Sequence, residues 1–423
     1  MQIRERRTSR DLKRHNRALV LRETYIHGPL SRLDLAELTG MSPATITNLV
    51  SALLGEGLVV ETGREESNGG RPRSLVDINP IGARFVGVEL GETSVRAVLF
   101  DFTLEQLAVA QLKVDAQENR PEVIAALVAR AIHQVAETAG IELHDIWGAG
   151  VGVPGIVSAD GQTSLFAPNW NWRRIPFGEM VQRELQGKVP RLVEANGADV
   201  MAIGESWRGT SSNGSMIAIL LGTGVGAGII VAGRRLSGPA EWGHTVVDIN
   251  GPPCHCGNRG CIEALAGAEA IVRRYRDRCL DRGVDHVGGL SADAVISAAR
   301  EGDACAVAVL REVARDVGIG VANLINLFAP DTITINGWIA LAAMDVMLPV
   351  IRETAQQYAL PELADHSAIV ASELGEDAMP MGAAAMIVEH LVEGSILPRA
   401  SQRESRRVRP AAAALRDGDG RPA

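Results

Sequence analysis

Aromatic residues and cysteines are scarce in this chain of 423 residues, with aromatics at 4% and five cysteines in all. So few cysteines exclude a small secreted scaffold held together by disulfides. The composition, 46% hydrophobic and 22% charged, excludes a collagen-like chain or one disordered throughout. The N-terminal stretch MQIRERRTSRDLKRHNR lacks the apolar segment of a signal peptide. We therefore predict a cytoplasmic protein. We also predict two or more domains, because a single hydrophobic core stops growing below this length.

A long uninterrupted apolar run of the kind that crosses a membrane is missing as well. The longest uncharged apolar stretch, Met216 to Gly233, is interrupted by the glycines of LLGTGVGAGII. A spanning helix needs strong apolar character at its centre, so this stretch favours two short buried strands around a tight turn. We therefore predict no membrane partner.

The net charge of -9 is unevenly distributed along the chain. Residues 1–80 carry a net charge of +2 and residues 395–423 carry +4, which leaves -15 for the segment between them. A basic end on an acidic body is typical of one module that contacts phosphate and another that does not. We predict a DNA-binding domain over 1–80, a sensor domain over 81–394 and a disordered tail over 395–423.

The pattern of residues 1–80 indicates a helix, a glycine turn, a second helix and then a hairpin. Ser31 to Leu38 repeats apolar residues at helical spacing, Gly40 interrupts them, and Ser42-Pro43 is a good start for a helix that ends at Gly55. These elements predict a winged helix-turn-helix. The side chains expected to contact DNA are the polar ones of the second helix and two arginines of the hairpin: Ser42, Thr45, Thr47, Asn48, Arg71 and Arg73.

The arginines of this segment also have a simpler interpretation. Arg71 and Arg73 stand in a Gly-Arg-Pro-Arg segment slim enough for a minor groove, but a hairpin tip often carries solvated charges. Their position directly after a helix-turn-helix favours DNA contact. The arginine-rich first residues are equally compatible with nonspecific phosphate contacts and with a solvated tail.

The body alternates strand and helix signals, and two glycine-turn hairpins stand out in it. One covers Phe85 to Asp101 and the other Met216 to Val231. Helices are predicted between and after them, including Glu122 to Ala139 and Val313 to Leu327. The repetition of a hairpin in two successive halves predicts a duplicated α/β unit with a cleft between two lobes.

A cluster of three cysteines lies within eight residues, at Cys254, Cys256 and Cys261. Such clustering indicates metal ligation in a reducing compartment, and three thiolates with one imidazole suit tetrahedral Zn²⁺. With all four positions filled by protein, the metal is structural, because none is left for a catalytic water. The spacing alone leaves His244 and His255 as alternatives for the fourth ligand, and reduced cysteines without a metal are the competing interpretation.

Several segments of the body together resemble the ROK family of repressors, open reading frames and sugar kinases, in its transcriptional-regulator branch. The most specific are Glu241-Trp-Gly-His244 and the metal motif from Cys254 to Glu263. Supporting segments are Gly152-Val-Pro-Gly155, Ala167-Pro-Asn-Trp170, Gly222-Thr-Gly-Val-Gly-Ala-Gly228 and Gly382-Ala-Ala-Ala385. The resemblance implies a two-lobed body of the actin-like, ribonuclease-H-like sugar-kinase type, with His244 as the fourth metal ligand. It also implies sugar contacts from Asn169, Asn196, Glu241, His244 and Glu263.

Three kinase elements depart from the family pattern. Asn196-Gly-Ala-Asp199 stands where the kinases have Asn-Asp-Ala-Asn, so Gly197 replaces the carboxylate that accepts the sugar proton. Glu92 places a negative charge in the first phosphate loop, and Trp338 follows the glycine near the expected adenosine position. We therefore predict that no catalytic residue remains and that the protein is not an enzyme.

The predicted function is a sugar-responsive repressor of carbohydrate metabolism genes. Its expected partners are double-stranded operator DNA and a sugar or sugar-phosphate effector, and its expected assembly is a homodimer or a dimer of dimers. One alternative is a bifunctional ATP-dependent sugar kinase with a DNA-binding module. A purely structural zinc protein is the other, and it leaves the helix-turn-helix unexplained.

Overall fold

The computed structural model describes residues 9–65, 73–115, 118–208, 214–236, 240–281 and 289–393. The chain divides into an N-terminal unit (Met1–Gly82 with Glu389–Ala423) and a body (Ala83–Val388). The predicted tail 395–423 lies outside the described residues. Within the described ranges, no helix is both long enough and apolar enough to cross a membrane.

The N-terminal unit begins with helices and ends with a hairpin. Its elements are α1 (Ser9–His27), β1 (Leu30–Ser31), α2 (Arg32–Thr39), α3 (Pro43–Gly55), β2 (Val59–Glu65) and β3 (Arg73–Ile78). The strands form an antiparallel sheet in the order β1-β3-β2. The helix core packs Leu21, Leu35, Ile46, Val50 and Leu53 with almost no exposure. The sequence indicates helical spacing from about Leu12 to Thr24, and helix α1 extends beyond that range at both ends.

Local capping explains where the helices α2 and α3 begin and end. The Ser31 hydroxyl accepts from the Asp34 N–H while the Asp34 side chain accepts from the Ser31 N–H, which is a capping box. Gly40 ends α2 at a φ of 69°, a conformation that costs glycine little. The Ser42 hydroxyl then accepts from the Thr45 N–H at 3.2 Å, and Pro43 occupies the first turn of α3.

The first lobe of the body is built on a mixed sheet. Its elements are β4 (Phe85–Leu90), β5 (Ser94–Phe100), β6 (Gln106–Lys113), α4 (Pro121–Thr138), β7 (Gly148–Val153), β8 (Ile156–Val157), β9 (Ser164–Ala167), β10 (Trp172–Ile175), α5 (Phe177–Glu184) and β11 (Leu192–Asn196). The main sheet has the order β11-β7-β4-β5-β6, and a smaller sheet has the order β10-β9-β8.

The second lobe follows from Gly197 and contains a second mixed sheet with the order β14-β13-β12-β15-β16. Its elements are α6 (Gly197–Arg208), β12 (Met216–Leu221), β13 (Val225–Val231), β14 (Arg234–Arg235), α7 (Ile262–Ala266), α8 (Ala268–Leu280), α9 (Ala292–Arg300), α10 (Ala304–Phe328), β15 (Thr332–Asn336), α11 (Trp338–Tyr358), α12 (Pro361–Ala364), β16 (Ala368–Ala371) and α13 (Ala378–Val392).

The two main sheets repeat one pattern, which confirms the predicted duplication. In each, two strands form an antiparallel hairpin and the first of them also pairs in parallel with a later strand: β4 with β5 and β7, and β12 with β13 and β15. The apolar stretch from Met216 is thus two strands around a turn, as its glycines predict. The folded α/β body has the lobed architecture expected of the sugar-kinase type.

Glycines let helix α13 lie directly on the first sheet. A methyl group at Gly87 would come within 1.7 Å of the Pro380 carbonyl oxygen, and one at Gly150 within 1.9 Å of the Ala383 oxygen. Larger residues at these positions would push the helix away from the sheet. The small residues of Gly382-Ala-Ala-Ala385 serve the same close approach from the helix side.

Candidate functional site

A cavity of about 500 Å³ lies between the two lobes of the body. It is lined by the turn between β4 and β5, the ends of β7 and β9, the start of α6, the turn between β12 and β13, and the start of α11. Loops from both halves of the duplicated unit therefore converge on one cleft, where ligands of α/β proteins usually bind.

Beside this cleft, four potential metal ligands come together. The ligand atoms of His244, Cys254, Cys256 and Cys261 all lie within 4.8 Å of one another. The Cys256 and Cys261 sulfurs are 3.7 Å apart, and the Cys254 sulfur is 3.6 Å from His244 Nδ1. A tetrahedron with metal–sulfur bonds of about 2.3 Å and metal–nitrogen bonds of about 2.1 Å has sulfur–sulfur edges of about 3.8 Å and sulfur–nitrogen edges of about 3.6 Å. The cluster therefore fits one tetrahedral metal ion.

The geometry separates the two histidines that the spacing leaves open. His244 belongs to the cluster, whereas the His255 ring is directed elsewhere. His255 Nδ1 lies 3.2 Å from Asn169 Oδ1, and its Nε2 lies 3.3 Å from a carboxylate oxygen of Glu269. The loop that carries the cysteines is pinned by isolated bridges between Val246 and Cys261 and between Pro253 and Arg259.

Burial changes the acidity of the cysteines in the cluster. It raises the pKa of the Cys254 thiol and raises the pKa of the Cys261 thiol to about 12. A metal ion binds thiolates, so binding here would release protons, and metal affinity would fall at low pH.

Two glutamates flank the metal cluster and face the cleft. Glu241 stands just before the turn Trp242–His244, and burial raises the pKa of its carboxyl to about 7, with further raising by the Glu263 and Asp199 carboxylates. Glu263 lies in the first turn of α7 and accepts a hydrogen bond from the Val225 N–H at 3.1 Å. Carboxylates in such positions can accept hydrogen bonds from the hydroxyls of a polyol.

The two predicted asparagines line the same cavity but make different contacts. Asn169 donates to the Glu92 carboxylate at 3.0 Å and faces His255, so it joins the first lobe to the metal loop of the second. Asn196 accepts from the Ala198 N–H at 2.8 Å and donates to the Gly155 carbonyl at 2.8 Å. Asn196 therefore also shapes the start of α6, which leaves it one amide hydrogen for a ligand.

No carboxylate occupies the position of the kinase base among the described residues. Gly197 lines the cavity, and a methyl group there would come within 3.1 Å of Met379 Cε. Asp199 accepts from the Arg235 guanidinium at 3.1 Å and is not among the residues that line the cleft. Asp199, the nearest carboxylate along the chain to Gly197, is thus engaged with an arginine.

The other two departures from the kinase pattern also reach the cleft. Glu92 lies in the turn between β4 and β5, where burial raises the pKa of its carboxyl. The Trp338 indole rests against the turn between β12 and β13, because a methyl group at Gly222 would lie 3.3 Å from its Cδ1 and Nε1 atoms. A carboxyl group and a bulky ring therefore line the cleft at the positions where the sequence departs from the kinase pattern.

Sequence reasoning missed an ion pair at the cavity wall, where Arg96 and Glu376 are among the lining residues. Arg96 donates to Asp377 at 2.6 Å and lies 3.7 Å from Glu376. Arg96 is the cross-strand partner of Glu89, and burial raises the pKa of the Glu89 carboxyl to about 7 against a lowering by Arg96. The register of the hairpin of β4 and β5 could have revealed that Glu89 is a neighbour of Arg96. The contact of Arg96 with Asp377 could not be read in this way, because the two residues are 281 positions apart.

On the N-terminal unit, the predicted DNA contacts occupy one side of α3. Ser42, Thr47 and Asn48 are exposed and Thr45 is half-buried, opposite the buried Ile46, Leu49, Val50 and Leu53. The Thr47 hydroxyl donates to the Pro43 carbonyl at 2.8 Å. Arg73 is exposed at the start of β3, and Arg71 lies outside the described residues.

Known proteins resemble this chain along most of its length. The pattern of the ROK family matches residues 85–390. A xylose repressor of Caldicellulosiruptor bescii is 31% identical over 90% of this chain and 97% of its own, and a glucokinase of Halalkalibacterium halodurans is 32% identical over 70% and 93%. The crystal structure of a ROK family transcriptional regulator, a homolog of the Escherichia coli MLC protein, covers 91% of this chain and 98% of its own at 27% identity and a TM-score of 0.76.

Proposed function

The chain belongs to the ROK family, and from that premise we propose that it is a sugar-responsive, DNA-binding transcriptional repressor without kinase activity. The observation that carries the proposal is Gly197, which leaves a cleft lined by the predicted sugar contacts without the base of a kinase. The match to a repressor over 90% of the chain, against 70% for the glucokinase, supports the same choice.

The DNA-binding part of the proposal rests on the N-terminal unit. The order α1, β1, α2, α3, β2, β3 is that of a winged helix-turn-helix, and α3 has a buried apolar side and an exposed polar side. In this proposal Ser42, Thr45, Thr47 and Asn48 enter the major groove. Arg71 and Arg73 reach the flanking minor groove, and a homodimer reads an inverted repeat.

The sugar-binding part rests on the cleft beside the metal cluster. The carboxylates of Glu241 and Glu263, the ring of His244 and the amides of Asn169 and Asn196 all line one cavity and offer acceptors and donors to a sugar. The names of the two relatives, a xylose repressor and a glucokinase, support a sugar as the effector.

We assign the metal as structural zinc held by His244, Cys254, Cys256 and Cys261. Three thiolates and an imidazole are a donor set that zinc favours, and they fill its four positions. Zinc here supplies folding energy rather than catalysis, and it fixes the ring of His244 beside Glu241 and Glu263.

A bifunctional sugar kinase remains the second candidate because one kinase element is intact. The glycines from Gly222 to Gly228 are kept, and the glucokinase match covers 93% of that enzyme. Against it, general-base catalysis typically contributes about 10²- to 10⁴-fold in rate, and Gly197 cannot provide it.

Two measurements on the full-length protein separate the candidates. Duplexes that the protein selects from a random pool should contain an inverted repeat. At least one sugar of a panel should change the affinity of the protein for the selected duplex. A coupled assay for ADP with the same sugars should stay at background. Sugar-dependent turnover at ordinary kinase rates, about 1 to 100 per second, would favour the bifunctional enzyme. Failure to select any duplex would remove the repressor function.

A further inference from the structure

An exposed indole lines the cleft beside the glycine turn between β12 and β13. Trp338 is 36% exposed, and its Nε1 donates to none of the residues that the structure describes. The Cδ1 and Nε1 atoms of the indole lie against Gly222, and the side chain lines the cavity. An apolar ring with a free donor inside a concave site is a typical ligand contact.

The indole is close to the predicted sugar contacts. The Gly222 N–H donates to the Gly224 carbonyl at 2.9 Å, so these two glycines form one tight turn. Trp338 packs against Gly222, and a methyl group at Gly224 would lie 2.9 Å from the Glu263 carboxylate. Trp338 and Glu263 therefore stand on the two sides of the same turn, within one continuous cavity.

The volume of the cavity exceeds what one sugar ring needs. Its 500 Å³ lie within the range of about 300 to 1,000 Å³ of sites that enclose drug-sized ligands, and a single pyranose is smaller than such a ligand. The ring bound at Glu241, His244 and Glu263 would leave the part next to Trp338 for a second group.

The acidic residues of the lining disfavour an anionic second group. Among the described residues that line the cavity, the acidic ones are Glu89, Glu92, Glu241, Glu263, Asp293 and Glu376. The Arg96 guanidinium is paired with Asp377 and lies near Glu376, so its charge is already compensated. A phosphate about 4 Å from one of these groups in its ionised form would be repelled at a cost of about 1 to 4 kcal/mol. Burial raises the pKa of Glu89 and of Glu241 to about 7, so the repulsion from these two grows as the pH rises.

We propose that the effector is an uncharged disaccharide or glycoside rather than a sugar phosphate, with its second ring stacked on Trp338. This inference rests on the proposed function, because it takes the first ring to lie at the metal-side carboxylates. The site that holds the nucleotide in a kinase would thus become a second sugar subsite. The flat apolar face of a pyranose suits the indole face, and its hydroxyls can accept from Nε1.

Calorimetric titration of the full-length protein tests the subsite. The probes are glucose, xylose, cellobiose, maltose, phenyl glucoside and glucose 6-phosphate. At least one disaccharide or the phenyl glucoside should bind about tenfold more tightly than its monosaccharide, the order of affinity that one aromatic stacking contact provides. Trp338→Ala should abolish that preference while keeping monosaccharide affinity, and Trp338→Phe should retain part of it.

A matched control is Tyr358→Ala, which removes another exposed aromatic side chain at the opposite end of α11. It should leave all affinities unchanged. An equal loss of monosaccharide and disaccharide affinity in Trp338→Ala, or tighter binding of glucose 6-phosphate than of every uncharged sugar, would overturn the inference. Monosaccharides could bind and alter the affinity for the duplex while two-ring ligands bind no more tightly than monosaccharides. That result would reject the second sugar subsite and leave the proposed repressor function in place. If no probe binds the unmodified protein, both proposals fail.

Discussion

At the scale of single residues, Gly197 is one of three departures from the kinase pattern that line the cleft, together with Glu92 and Trp338. A methyl group on Gly197 would meet the flexible end of Met379, so an aspartate can be accommodated by a small shift of that side chain. The carboxylate would still face a cleft that is lined by Glu92 and Trp338, the two other departures from the kinase pattern.

The first prediction is that Gly197→Asp alone leaves sugar phosphorylation at background. A restored base contributes only when ATP binds nearby, and the repulsion from Glu92 is unchanged. The phosphorylation activity of the variant is measured as ADP release with glucose and with xylose. A ROK glucokinase assayed in parallel is the positive control. Sugar-dependent turnover in the variant would show that the missing base is the only defect.

The second prediction concerns Glu194, which is 1% exposed in β11 outside the cleft. Burial raises the pKa of its carboxyl to about 7, against a smaller lowering by the Gly178 backbone. The folded state then binds more protons than the unfolded state between about pH 4.5 and 7, so this group makes stability fall as pH rises. From pH 6 to 8 the loss amounts to about 1 kcal/mol.

Thermal unfolding of the unmodified protein and of Glu194→Gln at pH 6 and 8 measures this effect. The variant should lose less stability over that interval, because its amide does not titrate. Glu184→Gln, at an exposed position of α5, is the matched control and should follow the unmodified protein. Identical pH slopes for all three proteins would contradict the assignment.

At the scale of elements, what the sequence predicts well is local. The glycines of LLGTGVGAGII and the Ser42-Pro43 start of α3 act within a few residues, and both predictions agree with the structure. Contacts such as Asn169 with His255 and Arg96 with Asp377 join positions 86 and 281 residues apart. Periodicity and capping carry no information about such pairs, because the packing of the lobes brings them together.

Helix α3 carries the third prediction. Asn48 is exposed on the polar side of α3, and its amide can make paired hydrogen bonds to a base edge. Asn48→Ala should weaken binding to the selected duplex by about 1 to 3 kcal/mol and leave binding to unrelated DNA unchanged. Anisotropy titrations at one fixed salt concentration measure both. Glu37→Ala, exposed on α2, is the control and should keep the preference for the selected duplex.

The metal loop carries the fourth prediction. Each purified chain should contain one zinc ion, and Cys256→Ser should lower both zinc content and sugar affinity, because the loop that holds Glu263 and His244 loses its support. Elemental analysis and calorimetry measure the two effects. Cys279→Ser is the matched control: this cysteine is buried away from the cluster, so zinc should remain at one per chain. Full zinc content in Cys256→Ser would contradict the ligand set.

At the scale of the whole body, the cleft joins the two lobes through a few polar contacts. Asn169 comes from the first lobe, and His255 lies in the second, between two of the potential metal ligands. Their contact at 3.2 Å links the lobes beside the predicted sugar contacts. A ligand that contacts both asparagines and both glutamates would favour the closed arrangement over an open one. Such a difference in affinity between two states is what a sensor requires.

The fifth prediction follows from linkage and needs no detail of how the units are arranged. If the effector changes the affinity of the protein for its duplex by some factor, the duplex must change the affinity for the effector by the same factor. Effector titrations with and without saturating duplex, and duplex titrations with and without saturating effector, should therefore give equal ratios, typically about 5- to 150-fold. Trp338→Ala serves as the internal check. For a two-ring ligand, this variant should lower the ratio from the effector titrations and the ratio from the duplex titrations by the same factor. A change of duplex affinity by effector with no reciprocal change would mean that the sugar acts through another route, such as a change in oligomeric state, and not through two conformations of one assembly.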